Sequence, residues 1–246
     1  EDYERLSLAA ARLIAQQLRR KPESVLGLAT GTTPLGLYRE LVRMHREEGL
    51  SFARATTFNL DEYYGLAPSD PRSYRRFMEE HLFAHVDVDP ARVHLPDGLA
   101  PDGEAECARY EQAIAQAGGI DLQVLGIGRN GHIGFNEPGT SLGTTTQVVD
   151  LTDETVSVNS RLVQAEIPRR AISMGIKSIM RSRAILLLAC GPEKAEIVAK
   201  ALEGRVTPDL PASILQLHPN LTVLLDRKAA AFLSPGEAAA EVREVL

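Results

Sequence analysis

The residues best suited to chemistry stand close together in residues 125–139, LGIGRNGHIGFNEPG, where His132 lies between glycines, with Asn130 two positions before it and Glu137 five after. Imidazole, amide and carboxylate on one loop are the parts of an acid/base centre, because an imidazole ordinarily titrates near neutrality and a carboxylate can orient it. Glycines at 126, 128, 131, 134, 139 and 143 would weaken a helix or strand, so the stretch reads as a loop whose backbone takes conformations other residues avoid. A structural turn whose imidazole satisfies a backbone carbonyl would carry the same letters.

Three further groups follow apolar runs. In Thr30-Gly31-Thr32-Thr33-Pro34, proline suits a first helical turn, Thr33 suits the N-cap, and the free N–H groups of a helix start bind anions. The lysine of a Walker motif is missing, so a nucleoside triphosphate is not indicated, and a capped helix without a ligand fits equally. In NLDEYYG, 59–65, strand alternation separates Asp61 and Tyr63 from Glu62, so one carboxylate can work while the other supports the loop. Arg161 in NSR and Lys194 in GPEK can clamp a phosphate, Arg as a fork and Lys as a point charge, although most such residues are solvated surface groups. His81 and His85 have an i,i+4 spacing that can bind zinc, yet no HExxH order and no third ligand accompany them, so neither metal nor cofactor is expected.

To hold these loops in place, VLGLAT (25–30), ATTFNL (55–60), DLQVLGIG (121–128), AISMGI (171–176), AILLLAC (184–190) and LTVLLD (221–226) read as buried strands. Amphipathic stretches near 2–20, 34–48, 71–86, 103–117, 192–203 and 227–233 read as helices. This alternation implies an α/β fold, a three-layer, Rossmann-like arrangement of a mostly parallel sheet flanked by helices, with ligands at the carboxyl ends of the strands. The length of 246 residues and 44% hydrophobic content suit one domain over 1–246. Residues 140–168 are more polar and less regular, as expected of a lid or of a surface excursion.

A net charge of −6 argues against a nucleic-acid partner. No 18-residue apolar run offers a membrane span. Cys107 and Cys190 are too few for a disulfide framework, and the absence of a signal peptide makes the cytoplasm the expected address.

The motifs VLGLATGTTP, TTFNLDEYYGL, LGIGRNGHIGFNEPGTS, NSR, AISMGI and GPEKA occur in the order and approximate spacing that resembles the glucosamine-6-phosphate deaminases. That resemblance, from Val25 to Ala195, implies a single α/β domain converting glucosamine 6-phosphate and water to fructose 6-phosphate and ammonia, in amino-sugar metabolism and without a cofactor. It implies that Asp61 moves a proton between carbons 2 and 1 of the opened sugar, that His132 is the ring-opening acid/base, and that Glu137 orients and tunes it. Gly31, Thr32, Thr33, Arg161 and Lys194 match the family's phosphate-holding positions. One departure touches the centre. In part of the family an aspartate stands at the position of Asn130, and an amide lends a protonated imidazole less electrostatic support, although deaminases resembling this chain also carry Asn.

Two alternatives are a 6-phosphogluconolactonase and a non-enzymatic sugar-phosphate sensor domain. The lactonases typically carry DER and GHxASLFPG where this chain has DEY and GHIGFNEPG, and a sensor of that kind usually carries a helix-turn-helix module for which no basic N-terminal stretch is present. Regulated hexameric members use basic residues at the positions of Gln147 and Val149, together with an extended C-terminus. This chain lacks those charges and ends at Leu246, so a monomer or small homo-oligomer without that regulation is expected.

Overall fold

The computed structural model of the chain describes residues 2–234. Its centre is a six-stranded parallel sheet of β1 (Val25–Leu28), β2 (Thr56–Asn59), β4 (Val93–His94), β5 (Leu122–Gly126), β8 (Ile185–Ala189) and β9 (Leu221–Leu225), in the order β4-β2-β1-β5-β8-β9. The runs VLGL of β1 and ILLLA of β8 are buried at every position, the pattern of parallel strands covered on both faces. The helices α1 (Tyr3–Arg20), α2 (Leu35–Glu48), α3 (Tyr74–His81), α4 (Gly103–Gln116) and α7 (Ala195–Glu203) supply the covering layers. On α1, Leu6, Ala10, Ile14 and Leu18 make one buried stripe, and Asp2 caps the first turn through the Arg5 N–H at 3.0 Å.

The strand order explains where a ligand can sit. From β1 the chain winds through α2 to β2 and on to β4, then returns to the other side of β1 and winds through β5, β8, α7 and β9. Right-handed crossovers running in opposite directions place α2 and α7 on opposite faces and leave a crevice between β1 and β5 at their carboxyl ends.

A second sheet, three-stranded and antiparallel, joins β3 (Asp61–Tyr63), β7 (Arg170–Ser173) and β6 (Gln147–Asp150) in the order β3-β7-β6. Leu60 is the pivot: its N–H bonds Leu28 of the large sheet at 3.0 Å, and its carbonyl accepts the Met174 N–H at 2.7 Å. Asp61 therefore leaves one sheet and enters another, facing Ser173 across the new ladder. Tyr63, Leu66, Phe135, Leu151, Ile167 and Ala171 form a small core beside this sheet, separate from the main one.

Several expectations change. The run 171–176 is a strand only to Ser173 and belongs to the small sheet, because a short buried run does not disclose its pairing partners. Residues 227–232 are turns rather than a helix, tied by the Asp226 carboxylate to the Ala229 N–H at 2.7 Å; so short a segment barely exceeds a helix nucleus. The stretch 140–168 is less irregular than expected, since it contains β6 and the helix α5 (Asp153–Val163), capped by Thr152 on the Thr155 N–H at 3.2 Å. Thr155 is the one fully buried residue of α5, so no hydrophobic stripe announces that helix. A further short helix, α6 (Ile176–Met180), follows β7. The expected absence of a C-terminal extension concerns residues outside those described.

Candidate active site

A cavity of about 270 Å³ opens in the crevice between β1 and β5. The turn 30–33 after β1 and the glycine-rich loop after β5 form two walls, Asp61 lies in a third, and α5 closes one side with Glu154, Thr155, Val158, Asn159 and Leu162. These five fall at i, i+1, i+4, i+5 and i+8, a single helical face.

Gly128 explains why the loop needs glycine. A Cβ there would lie 2.3–2.4 Å from three atoms of the His132 ring, so only a residue without a side chain lets the imidazole fold back over the loop. Nδ1 of His132 then stands 3.5 Å from Glu137 Oε2, a charge-pair distance beyond a well-formed hydrogen bond. Asn130 ties the pair together: its amide nitrogen donates to Glu137 Oε2 at 2.7 Å, and its oxygen accepts the His132 N–H at 3.2 Å. The other carboxylate oxygen of Glu137 accepts the Thr155 hydroxyl at 2.5 Å and, more weakly, that of Thr152 at 3.4 Å. Burial works to raise the Glu137 carboxyl, but the contacts with His132, Thr155 and Asn130 outweigh it and hold the group down to about 2.

Asp61 is in the opposite condition. Its carboxyl is buried and receives no side-chain or backbone hydrogen bond among the described residues, and burial, with the neighbouring Glu62 charge, pushes it up to about 8. Glu62 points elsewhere, accepting the N–H groups of Tyr63, Tyr74 and Arg75 at 2.8–2.9 Å and so holding the start of α3. The two carboxylates divide as strand alternation predicts, Asp61 to the cavity and Glu62 to support.

Gly31, Thr32 and Thr33 also line the cavity, with Gly31 at φ +100°. Thr33 does not cap α2. Pro34 stands at the cap position, and the Tyr3 hydroxyl takes over, accepting the Gly36 N–H at 2.7 Å and lying 3.0 Å from the Thr32 and Thr33 carbonyls. A tyrosine thirty residues upstream gives no local signal for that task. Lys194 lines the cavity with its ammonium on the Ile127 carbonyl at 2.7 Å; burial lowers it from its ordinary value, and the charge of Arg129 acts in the same direction. Arg161 stands apart, exposed, outside the cavity wall, and hydrogen-bonded to Ser157 one turn back at 3.0 Å.

Sequence reasoning missed Arg129, Thr155 and Tyr74, and singled out Asn159 only as part of the NSR group; all four line the cavity. Arg129 adjoins Asn130 and its neighbourhood was a usable signal. Tyr74 and Asn159 meet through Tyr63, whose hydroxyl accepts the Asn159 amide at 2.9 Å and the Tyr74 hydroxyl at 3.1 Å, and only the tertiary structure shows this. His81 and His85 are engaged with Phe77 and with the Glu80 carbonyl. No cluster of three potential metal ligands occurs among the described residues, and no described helix is long and apolar enough to cross a membrane.

Residues 1–224 match the family model described as glucosamine-6-phosphate isomerases/6-phosphogluconolactonase. A protein from Halothermothrix orenii named glucosamine-6-phosphate deaminase is 52% identical over 235 residues, 95% of this chain and 98% of its own. One of the same name from a Geobacillus strain is 54% identical over 230 residues, 93% of this chain and 92% of its own. Among solved structures, a monomeric glucosamine-6-phosphate deaminase is similar with a TM-score of 0.91 at 52% identity, covering 94% of this chain and 97% of that one. A 6-phosphogluconolactonase from Trypanosoma brucei, at 21% identity and a TM-score of 0.74 over 95% of this chain and 97% of its own, shares the fold.

Proposed function

The chain belongs to the family of glucosamine-6-phosphate isomerases and 6-phosphogluconolactonases, and we propose that within it the chain is an enzyme of the deaminase kind, turning glucosamine 6-phosphate and water into fructose 6-phosphate and ammonia. Relatives at half identity carry that name. The observation that carries the reading is the pairing, around one cavity, of a buried carboxyl without hydrogen-bond donors, Asp61, with an imidazole backed by an ionised carboxylate, His132 and Glu137.

Each group suits one step. The pyranose opens when the ring oxygen gains a proton and the anomeric hydroxyl loses one, an exchange His132 can conduct in both directions. Glu137 stabilises the charged imidazole and Asn130 holds the two in register. Asp61 then takes the proton from carbon 2 and returns one to carbon 1, for which a short carboxylate with a raised pKa is suited, being basic enough to accept and acidic enough to give back. The first of these transfers leaves an enolamine and the second an imine at carbon 2, to which water adds, expelling ammonia. No step requires a cofactor.

The phosphate is held at the far end by Gly31, Thr32, Thr33 and Lys194, so binding energy distant from the reacting carbons fixes the open chain in place. Lys194 exchanges its contact with the Ile127 carbonyl for the phosphate. Arg129 adds a second cation there, and Arg161 joins when its side chain leaves Ser157 for the phosphate. The whole chain acts as one catalytic domain, with the 140–168 stretch as its lid. Acting on a small sugar phosphate, it needs no nucleic-acid or membrane partner and works in the cytoplasm as a monomer or small oligomer, in keeping with the monomeric relative. Gln147 and Val149 on β6 give a regulatory phosphate no cation, so hyperbolic kinetics are expected.

Ammonia release from glucosamine 6-phosphate is the test, beside hydrolysis of 6-phosphogluconolactone. Ammonia with no lactonase activity is the expected result. Lactone hydrolysis without ammonia would overturn the reading.

A further inference from the structure

Glu137 is held from two sides, and the second side is not part of its loop. Asn130 and His132 approach Oε2 from the glycine-rich turn, whereas Oε1 is met by Thr155, a buried residue in the first turn of α5. A carboxylate contacted at one oxygen alone can rotate about its last bond, and the separation between Oε2 and the imidazole would change with it. Thr155 removes that freedom. It is itself fixed, because its N–H donates to the Thr152 hydroxyl at 3.2 Å and Asn159, one turn on, anchors α5 to the Tyr63 hydroxyl.

We infer that Thr155 is a positioning residue of the reaction, acting through Glu137 on His132, and that its hydroxyl makes the seating of α5 part of the ring-opening machinery. This rests on reading Glu137 and His132 as the ring-opening pair. Thr155→Val replaces the hydroxyl by a methyl group with little change in volume, so it removes the hydrogen bond to Glu137 while keeping the side chain's shape. His132 is the titratable group that faces Glu137; Asn130, Thr152 and Thr155 face it as neutral partners. Losing one hydrogen bond to an ionised group leaves the carboxylate free to turn away, and an effect of about tenfold is on the scale of such a contact.

The experiment compares the wild-type chain with Thr155→Val and Thr155→Ser on two substrates, glucosamine 6-phosphate and its open-chain 4,5-dideoxy analogue, which lacks the hydroxyls that close the five- and six-membered rings. Thr155→Val should lower kcat on glucosamine 6-phosphate about tenfold with KM changed less than about threefold, and should impair the open-chain analogue much less. Thr155→Ser, which keeps the hydroxyl, should restore most of the loss. Equal impairment on both substrates, or a loss that follows the melting temperature and is not restored by serine, would show a packing role and overturn the inference. Wild-type kinetics in Thr155→Val would do the same. Should the valine variant fail to fold, Thr155→Ala is put through the same two-substrate comparison. A wild-type chain that releases no ammonia would sink the underlying functional reading instead, so the two failures are told apart.

Discussion

Asp61 and Glu137 are about equally hidden from water, at 6% and 8% exposure, yet Asp61 is pushed up to about 8 and Glu137 held down to about 2. Burial alone cannot separate them. What differs is the supply of partners: Glu137 has an amide, two hydroxyls and an imidazole around it, while Asp61 enters the small sheet with its carboxyl aimed at the cavity and no donor of its own. Carboxyls whose surroundings drive their pKa values apart are fitted to different tasks, one to exchange protons and the other to remain charged.

Removing the reactive member is the harshest way to break this comparison. Asp61→Asn should lower kcat by about 10²-fold or more while a bound substrate analogue is retained, the scale of a positioned general base. Turnover near wild type would remove Asp61 from the reaction. His132→Gln should likewise impair glucosamine 6-phosphate strongly and the open-chain analogue less. In the wild type, if Asp61 must be ionised in the free enzyme, kcat/KM should fall about tenfold for each pH unit below about 7 and level off above about 8. A profile flat between pH 6 and 9 would contradict that.

Stability gives a second test, with opposite signs for the two groups. The folded state binds the Asp61 proton more tightly than the unfolded chain does, so this group costs stability progressively as pH rises from about 4 to about 8. Asp61→Asn should therefore be more stable than wild type at pH 8, by up to about 5 kcal/mol, with the gain vanishing near pH 4. Glu137 has a depressed folded value, so its contribution is present above about 4.5 and lost as pH falls through about 2. Glu137→Gln should be less stable at neutral pH, by up to about 3 kcal/mol. Denaturant melts of both variants across pH measure the two effects, and shifts of the same sign would contradict the contrast.

Sequence disclosed these two regions unequally, and the reasons are physical. The loop 125–139 was legible because its glycines and its chemical groups share fifteen residues, and strand alternation at 61–63 is enough to separate Asp61 from Glu62. The large sheet was legible from buried apolar runs. The small sheet was not: Asp61 faces Ser173 across more than a hundred residues, and pairing at that distance leaves no local pattern. Helix α5 left little for periodicity to detect because the face it turns to the cavity mixes Glu154, Thr155 and Asn159 with Val158 and Leu162 instead of forming one apolar stripe. Arg161 was read from its residue type and from the resemblance, neither of which discloses that its guanidinium turns back to Ser157 on α5.

The smallest expected effect extends the comparison to the phosphate end. Lys194 is largely buried and holds a carbonyl, whereas Arg129 is exposed and makes no ion pair among the described residues, although both line the cavity. A buried cation meets an anion with little competition from water, and an exposed one is screened by salt. Replacing Lys194 with Gln should therefore raise KM far more than the same change at Arg129, for which about threefold at low salt is expected, with kcat unchanged. Because the Debye length contracts to about 3 Å at 1 M salt, the Arg129→Gln effect should disappear there while that of Lys194→Gln largely persists. KM measured at low and high salt for both variants is the check. An Arg129 effect that survives high salt would mean that the guanidinium bonds the phosphate directly, as a fork in the plane of its oxygens, and no effect at low salt would remove Arg129 from the site.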